Sequence, residues 1–287
     1  MTRRTLFIFF ILTFAISWGV LVLFVLFTAQ AEAMFGKLGY TNPLFILAVY
    51  APALSALSLV VHHHGFAGLG PFLRRMLVWR MPWGWWLLLI VGLPLVSYAG
   101  AAIKGTIGAP FPFDPWWLLL PALLTTLAIG PVEEIGWRGL ALPLLQRQLA
   151  PFWAGLWLGV IWALWHVPAF FLSGTPQSNW SLPGFFLGCV ALSLILTPMF
   201  NAARGSLLVA ALFHFQVNGP AWPDAQPWDS VIFAGLAAAL VLLERRDYFE
   251  RGAGATEVLS STSSLQTPDR SGDTKNQRGS GGRERTS

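Results

Sequence analysis

The chain has 287 residues, 55% of them hydrophobic and 11% charged, with a mean hydropathy of +0.60 and a formal net charge of +5. Soluble domains carry about 25% charged residues, and here 15 of the 31 charged residues lie at or beyond Glu244, leaving 16 for the first 243 positions. That excludes a soluble globular domain, and it excludes a nucleic-acid binder as well, because the basic residues sit singly or in pairs at the edges of apolar runs.

Read in chain order, the apolar runs predict eight membrane crossings, at about 5–27, 42–61, 82–103, 116–146, 152–172, 182–203, 205–218 and 231–243. A crossing needs roughly 20 apolar residues, so the fourth run is too long and the last two are short. Pro131 and Pro143 offer the fourth helix places to kink or end. The first run carries Arg3 and Arg4 ahead of it and an Ala29-Gln30-Ala31 sequence after it, as a secretory signal would. Its apolar stretch of 23 residues exceeds the usual signal core of about 7–15, which predicts an uncleaved anchor.

Orientation follows from where Lys and Arg fall. Alternate connections hold Arg3/Arg4, Arg74/Arg75/Arg80, Arg147, Arg204 and Arg245/Arg246/Arg251, whereas the other set holds only Lys37 and Lys104. Both termini are therefore expected in the cytoplasm of a cell-membrane protein. From 252 to 287 there is no aromatic residue, and Ser, Gly, Thr, Arg and Asp dominate. Such a segment buries too little apolar surface to order itself. The expected architecture is an all-α transmembrane bundle of about eight helices over 1–251, followed by a disordered cytoplasmic tail. Cys189 is the only cysteine, which rules out an intrachain disulfide and a cysteine-based zinc site. There is no internal repeat and no glycine-rich phosphate loop.

Ionisable residues within a membrane are costly, so each is a functional candidate. The first 243 residues contain six acids, and only Glu133 and Glu134 fall inside an apolar run. Glu134 and Arg138 are four apart, which places them on one helix face in ion-pairing range. Glu133 points about 100° away and has no partner in its own helix. It is the acid free to face a polar cavity. His62, His63 and His64 are consecutive, do not share a helix face, and read as interfacial residues. His166 and His214 lie within apolar runs, and His214 shares a face with Asn218. Glu133 and His166 are each about 14 positions from the turn between their helices, hence roughly 20 Å up at 1.5 Å per residue. His214, nine residues past Gly205, is roughly 14 Å up a helix starting on the same side. One carboxylate, two imidazoles and a carboxamide are thus expected to converge in a cavity below the cytoplasmic surface, within a core of about 114–220.

These motifs resemble those of the CAAX prenyl endopeptidase and bacteriocin-processing (CPBP, or Abi) family of intramembrane proteases. That family carries EExxxR, FxxxH and HxxxN or HxxxB motifs on separate helices. Here they read Glu133-Glu134-xxx-Arg138, Trp162-xxx-His166 and His214-xxx-Asn218. Trp162 replaces the usual Phe, one aromatic for another, and leaves His166 in place. The resemblance implies an endopeptidase acting on a membrane protein or lipidated peptide at the bilayer, with Glu133, His166, His214 and Asn218 as its catalytic groups.

Peptide hydrolysis needs a deprotonated water, a stabilised oxyanion and a proton for the leaving amine. Glu133 is the expected base, one imidazole would orient the water, and His214 or Asn218 would donate to the oxyanion. Glu134 and Arg138 form a structural ion pair. The reading carried forward is free of metal. Its alternative is a Zn2+ held by Glu133, His166 and His214, a His-His-Glu set without the HExxH helix of soluble zinc proteases. Two other classes compete: a non-hydrolytic scaffold or bacteriocin-immunity protein, and a proton-coupled transporter.

Overall fold

The computed structural model describes residues 1–260, and these are helical without a strand. Six helices are long and apolar enough to cross a membrane: α1 (Arg3–Leu26), α2 (Pro43–His64), α3 (Trp83–Lys104), α4 (Trp116–Gln146), α5 (Pro151–Phe171) and α6 (Leu182–Ala202). Two shorter apolar helices follow, α7 (Leu207–Val217) and α8 (Trp228–Leu243). All eight apolar runs are therefore helices, and the protein is an integral membrane protein. A short helix, Thr28–Phe35, lies between α1 and α2. In the larger of two buried clusters Phe9, Phe72, Trp137, Leu140, Phe200 and Phe213 are fully or almost fully buried, and a smaller one gathers Leu21, Phe24, Ala31, Leu38, Ala48 and Leu172.

Prolines shape the bundle. A proline inside a helix frees the carbonyl four residues before it, and in hydrocarbon that carbonyl must find another donor. Pro52 frees Ala48 O, which accepts from Ser17 Oγ at 2.5 Å. Pro198 frees Leu194 O, which accepts from Tyr248 Oη at 2.9 Å. Pro143 frees Gly139 O, which accepts from Arg75 Nη1 at 2.7 Å. The helix widens to π geometry over Trp137–Ala141, just before that proline. Each donor comes from a different helix or connection, so the breaks also cross-link the bundle. Along α5 and α6, Gly155 and Gly159 let the backbones approach: a Cβ on Gly155 would stand 2.6 Å from Thr197 Oγ1, and one on Gly159 2.9 Å from Val190 Cα. That is the small-xxx-small packing expected between membrane helices.

The face bearing the arginine connections is closed. Arg75 is buried and donates to Gly205 O, Gly139 O, Arg138 O and Val258 O. Burial lowers its guanidinium to about 10, with Glu257 opposing the shift. Residues 252–260, which composition assigns to the tail, pack onto this face. Ala255 N donates to Asn201 Oδ1, Gln146 Nε2 donates to Ala255 O, and Val258 is buried. Their backbone is held by polar side chains of the bundle, a contribution that composition does not register. The rest of the expected tail, 261–287, lies outside the described residues.

The opposite face is open. The eleven residues of α7 rise only about 16 Å, half of a hydrocarbon core of about 30 Å. Gln216 near its end donates to Leu89 O of α3, whereas Asp224 meets Lys104 at the far end of α3, at 2.7 Å. The connection from Asn218 to Asp224 therefore runs along the second half of α3 as irregular chain, with the Trp222 ring against that of Tyr98. Irregular backbone at membrane depth is tolerated where it lines a polar cavity or is buried in protein.

Candidate active site

The site begins at a fault in α4. Its first α segment ends at Ile129, a 3-10 turn covers Gly130–Glu133 around Pro131, and a single α turn, Glu134–Gly136, precedes the π turn. Ala128 O, at the edge of the break, accepts from Tyr50 Oη at 2.9 Å. Glu133, Glu134 and Arg138 are all buried. Arg138 Nη1 stands 3.1 and 3.0 Å from the two oxygens of Glu134. The ion pair expected from the i, i+4 spacing is present.

Glu134 has a second partner that the spacing does not reveal. Its Oε1 lies 2.7 Å from His214 Nδ1. An ionised carboxylate only accepts, so Nδ1 carries the proton and Nε2 is left free. His214 Nε2 and Asn218 Nδ2 face the break in α4 at Gly130, where an added Cβ would come within 3.0 and 2.5 Å of them. Gly130 keeps this space open, with ordinary right-handed backbone angles.

Glu133 also has a partner, on α5. Trp162 Nε1 donates to Glu133 Oε2 at 3.0 Å. The same indole ring is 5.1 Å from the Arg138 guanidinium, 5.6 Å from the His166 ring and 5.5 Å from the His214 ring. Trp162 is thus the piece against which the four charged or ionisable groups are set. His166 sits where the α turns of α5 give way to a 3-10 turn ahead of Pro168. Its backbone N–H bonds Ala163 O rather than Trp162 O, and Trp162 O pairs with the ring Nδ1 at 2.8 Å. A carbonyl only accepts, so Nδ1 carries the proton and Nε2 is available as an acceptor.

Glu133, Trp162, His166, His214 and Asn218 all line one cavity of about 720 Å³. The sequence places these groups together, and they do share one wall. Spacing along the helices does not indicate where such a cavity opens. The lining continues through Thr126 and Ile129 to Tyr40, Gln177, Trp180 and Asp224, on the face away from the arginine connections. Among the described residues no three His, Cys, Asp or Glu side chains are arranged to hold a metal ion. Two contributors went unread in the sequence. Trp162 was signalled by its departure from Phe, which has no N–H to donate. Gly130 carried no signal beyond its place beside Pro131.

Comparison with known proteins bears on the same segment. Residues 115–219 match the family model described as type II CAAX prenyl endopeptidase Rce1-like. The chain is 31% identical over 143 residues to CAAX prenyl protease 2 of Methanococcus maripaludis, an alignment covering 46% of this chain and 53% of the relative. The chain thus spans about half the length of the curated relative it matches.

Proposed function

We propose, from the match of the motif-bearing core to the Rce1-like family model and its similarity to a CAAX prenyl protease, that this chain is an intramembrane endopeptidase hydrolysing a membrane-associated polypeptide through a water activated by Glu133. The observation that carries the reading is the paired arrangement on the cavity wall, Trp162 holding Glu133 and Glu134 holding His214. A scaffold has no need of a 720 Å³ cavity lined by a carboxylate and two imidazoles of fixed tautomer.

In this mechanism Glu133 takes a proton from water while His166 Nε2 accepts the second O–H and orients it. The hydroxide attacks the scissile carbonyl carbon. The resulting oxyanion accepts from Asn218 Nδ2, one side-chain donor of the kind that stabilises tetrahedral intermediates. Glu133 then passes its proton to the amine as the C–N bond breaks. His214 stands beside this path, and Glu134, secured by Arg138, stabilises the imidazolium formed if His214 relays that proton, as a buried carboxylate does for a histidine in hydrolytic triads.

The test is cleavage of a membrane-anchored reporter by purified full-length protein, with new termini identified by mass spectrometry. Glu133→Gln is expected to abolish cleavage while leaving the protein folded and abundant, and purification through a strong chelator is expected to leave cleavage intact. Undiminished cleavage by Glu133→Gln would remove the proposal. Stoichiometric zinc tracking activity would replace water activation by the carboxylate alone with a metal mechanism.

A further inference from the structure

The cavity has one built floor and one built mouth. Its floor is the break in α4, and beneath it Trp137, Arg138, Leu140 and Ala141 are completely buried. Below these, Arg75 ties four backbone carbonyls of three separate segments, and residues 252–260 cover the surface. Among the described residues, this packing stands between Glu133 and that side. The mouth, by contrast, is bordered by Tyr40, Trp180 and Trp222, amphipathic rings of the kind that gather at the membrane–water boundary. Between mouth and floor stands the outer half of α4, Leu119–Ile129. Leu120, Leu124 and Leu127 are more than half exposed on one side, while Thr125 and Thr126 line the cavity on the other. A single helix therefore separates the cavity from lipid.

The five arginine-bearing segments all lie on the closed face, and lysine and arginine mark the cytoplasmic side. We infer that the substrate enters from the non-cytoplasmic side, as an extended, largely apolar peptide segment lying at the outer boundary of the bilayer. This rests on the endopeptidase reading above and narrows its substrate to polypeptides inserted into or exported across the membrane. A lipidated tail presented from the cytoplasm would meet the closed face. The lining fits such a segment. It is mostly apolar; of its acids above the floor, Asp224 is paired with Lys104 at 2.7 Å and Asp229 Oδ1 accepts from Ser230 N at 2.6 Å, and a strand-like peptide passing Thr126 would reach Glu133 at the floor.

Single cysteines in a full-length Cys189→Ala background test the route. In intact cells, a membrane-impermeant maleimide is expected to modify Gln177→Cys at the mouth and Thr126→Cys within the cavity. His62→Cys at the closed face is expected to react only in inside-out vesicles. A bulky adduct on Gln177→Cys is expected to lower cleavage at least tenfold relative to the same variant unlabelled. A reporter with its scissile segment outside is cut, and one with the segment in the cytoplasm is not. Protection of Gln177→Cys and Thr126→Cys in intact cells with reaction in inside-out vesicles would overturn the route, as would cleavage of the cytoplasmic reporter alone. Labelling is read without cleavage, so a chain labelled from outside that cuts neither reporter upholds the route and removes the endopeptidase reading.

Discussion

Trp162→Phe is the substitution that best separates what the indole does from what an aromatic ring does. It keeps most of the ring packed against Arg138, His166 and His214, and it deletes the one donor to Glu133 Oε2, now at 3.0 Å. A hydrogen bond to a charged group contributes about 1.5–3 kcal/mol. If that energy holds the carboxylate where it meets water, its loss lowers kcat by roughly 10- to 150-fold, at about 1.4 kcal/mol per tenfold. KM should change little, because the ring wall is retained. Trp162→Leu supplies the contrast, since it removes the packing as well and should lower thermal stability in addition. The assay is steady-state cleavage of the membrane reporter beside a thermal melt in detergent, for wild type and both variants. Wild-type kcat in a stably folded Trp162→Phe protein would refute the positioning role and return Trp162 to a space-filling aromatic.

Glu134→Gln and Arg138→Gln should each lower yield and melting temperature, since removing one partner strands a buried charge at about 3–5 kcal/mol; melts equal to wild type would dismiss the pair as a structural element. Gly130→Ala should fold normally, because its backbone is right-handed, yet displace Asn218 Nδ2 from the floor and cost up to about 100-fold in kcat; unchanged turnover would show that the space is not used. Tyr248→Phe removes the donor to the carbonyl freed by Pro198 and should destabilise by about 1–3 kcal/mol, read as a lower melting temperature with kcat retained in the surviving protein.

The sequence by itself determined the solvent and the positions of the helices. Apolar runs of membrane length admit no other fold, because unpaired backbone in hydrocarbon is too costly outside helices, and each of the eight runs became a helix. It also determined the Glu134–Arg138 pair, since a spacing of four on a helix leaves those side chains little choice. The convergence of Glu133, His166, His214 and Asn218 was legible for a similar reason. Distance along a helix converts to depth in a membrane, so residues equally far from a turn meet. Contacts between helices were not legible in this way. That Trp162 donates to Glu133 and Glu134 accepts from His214 depends on the rotation of α5 and α7 about their own axes, which the tertiary packing sets and spacing along one helix does not encode. The direction in which the cavity opens was decided there too. It follows from Arg75 and residues 252–260 closing one face, and from α7 ending halfway so that irregular chain lines the other. Both are properties of segments far apart in the chain, and only folding brings them to the same surface.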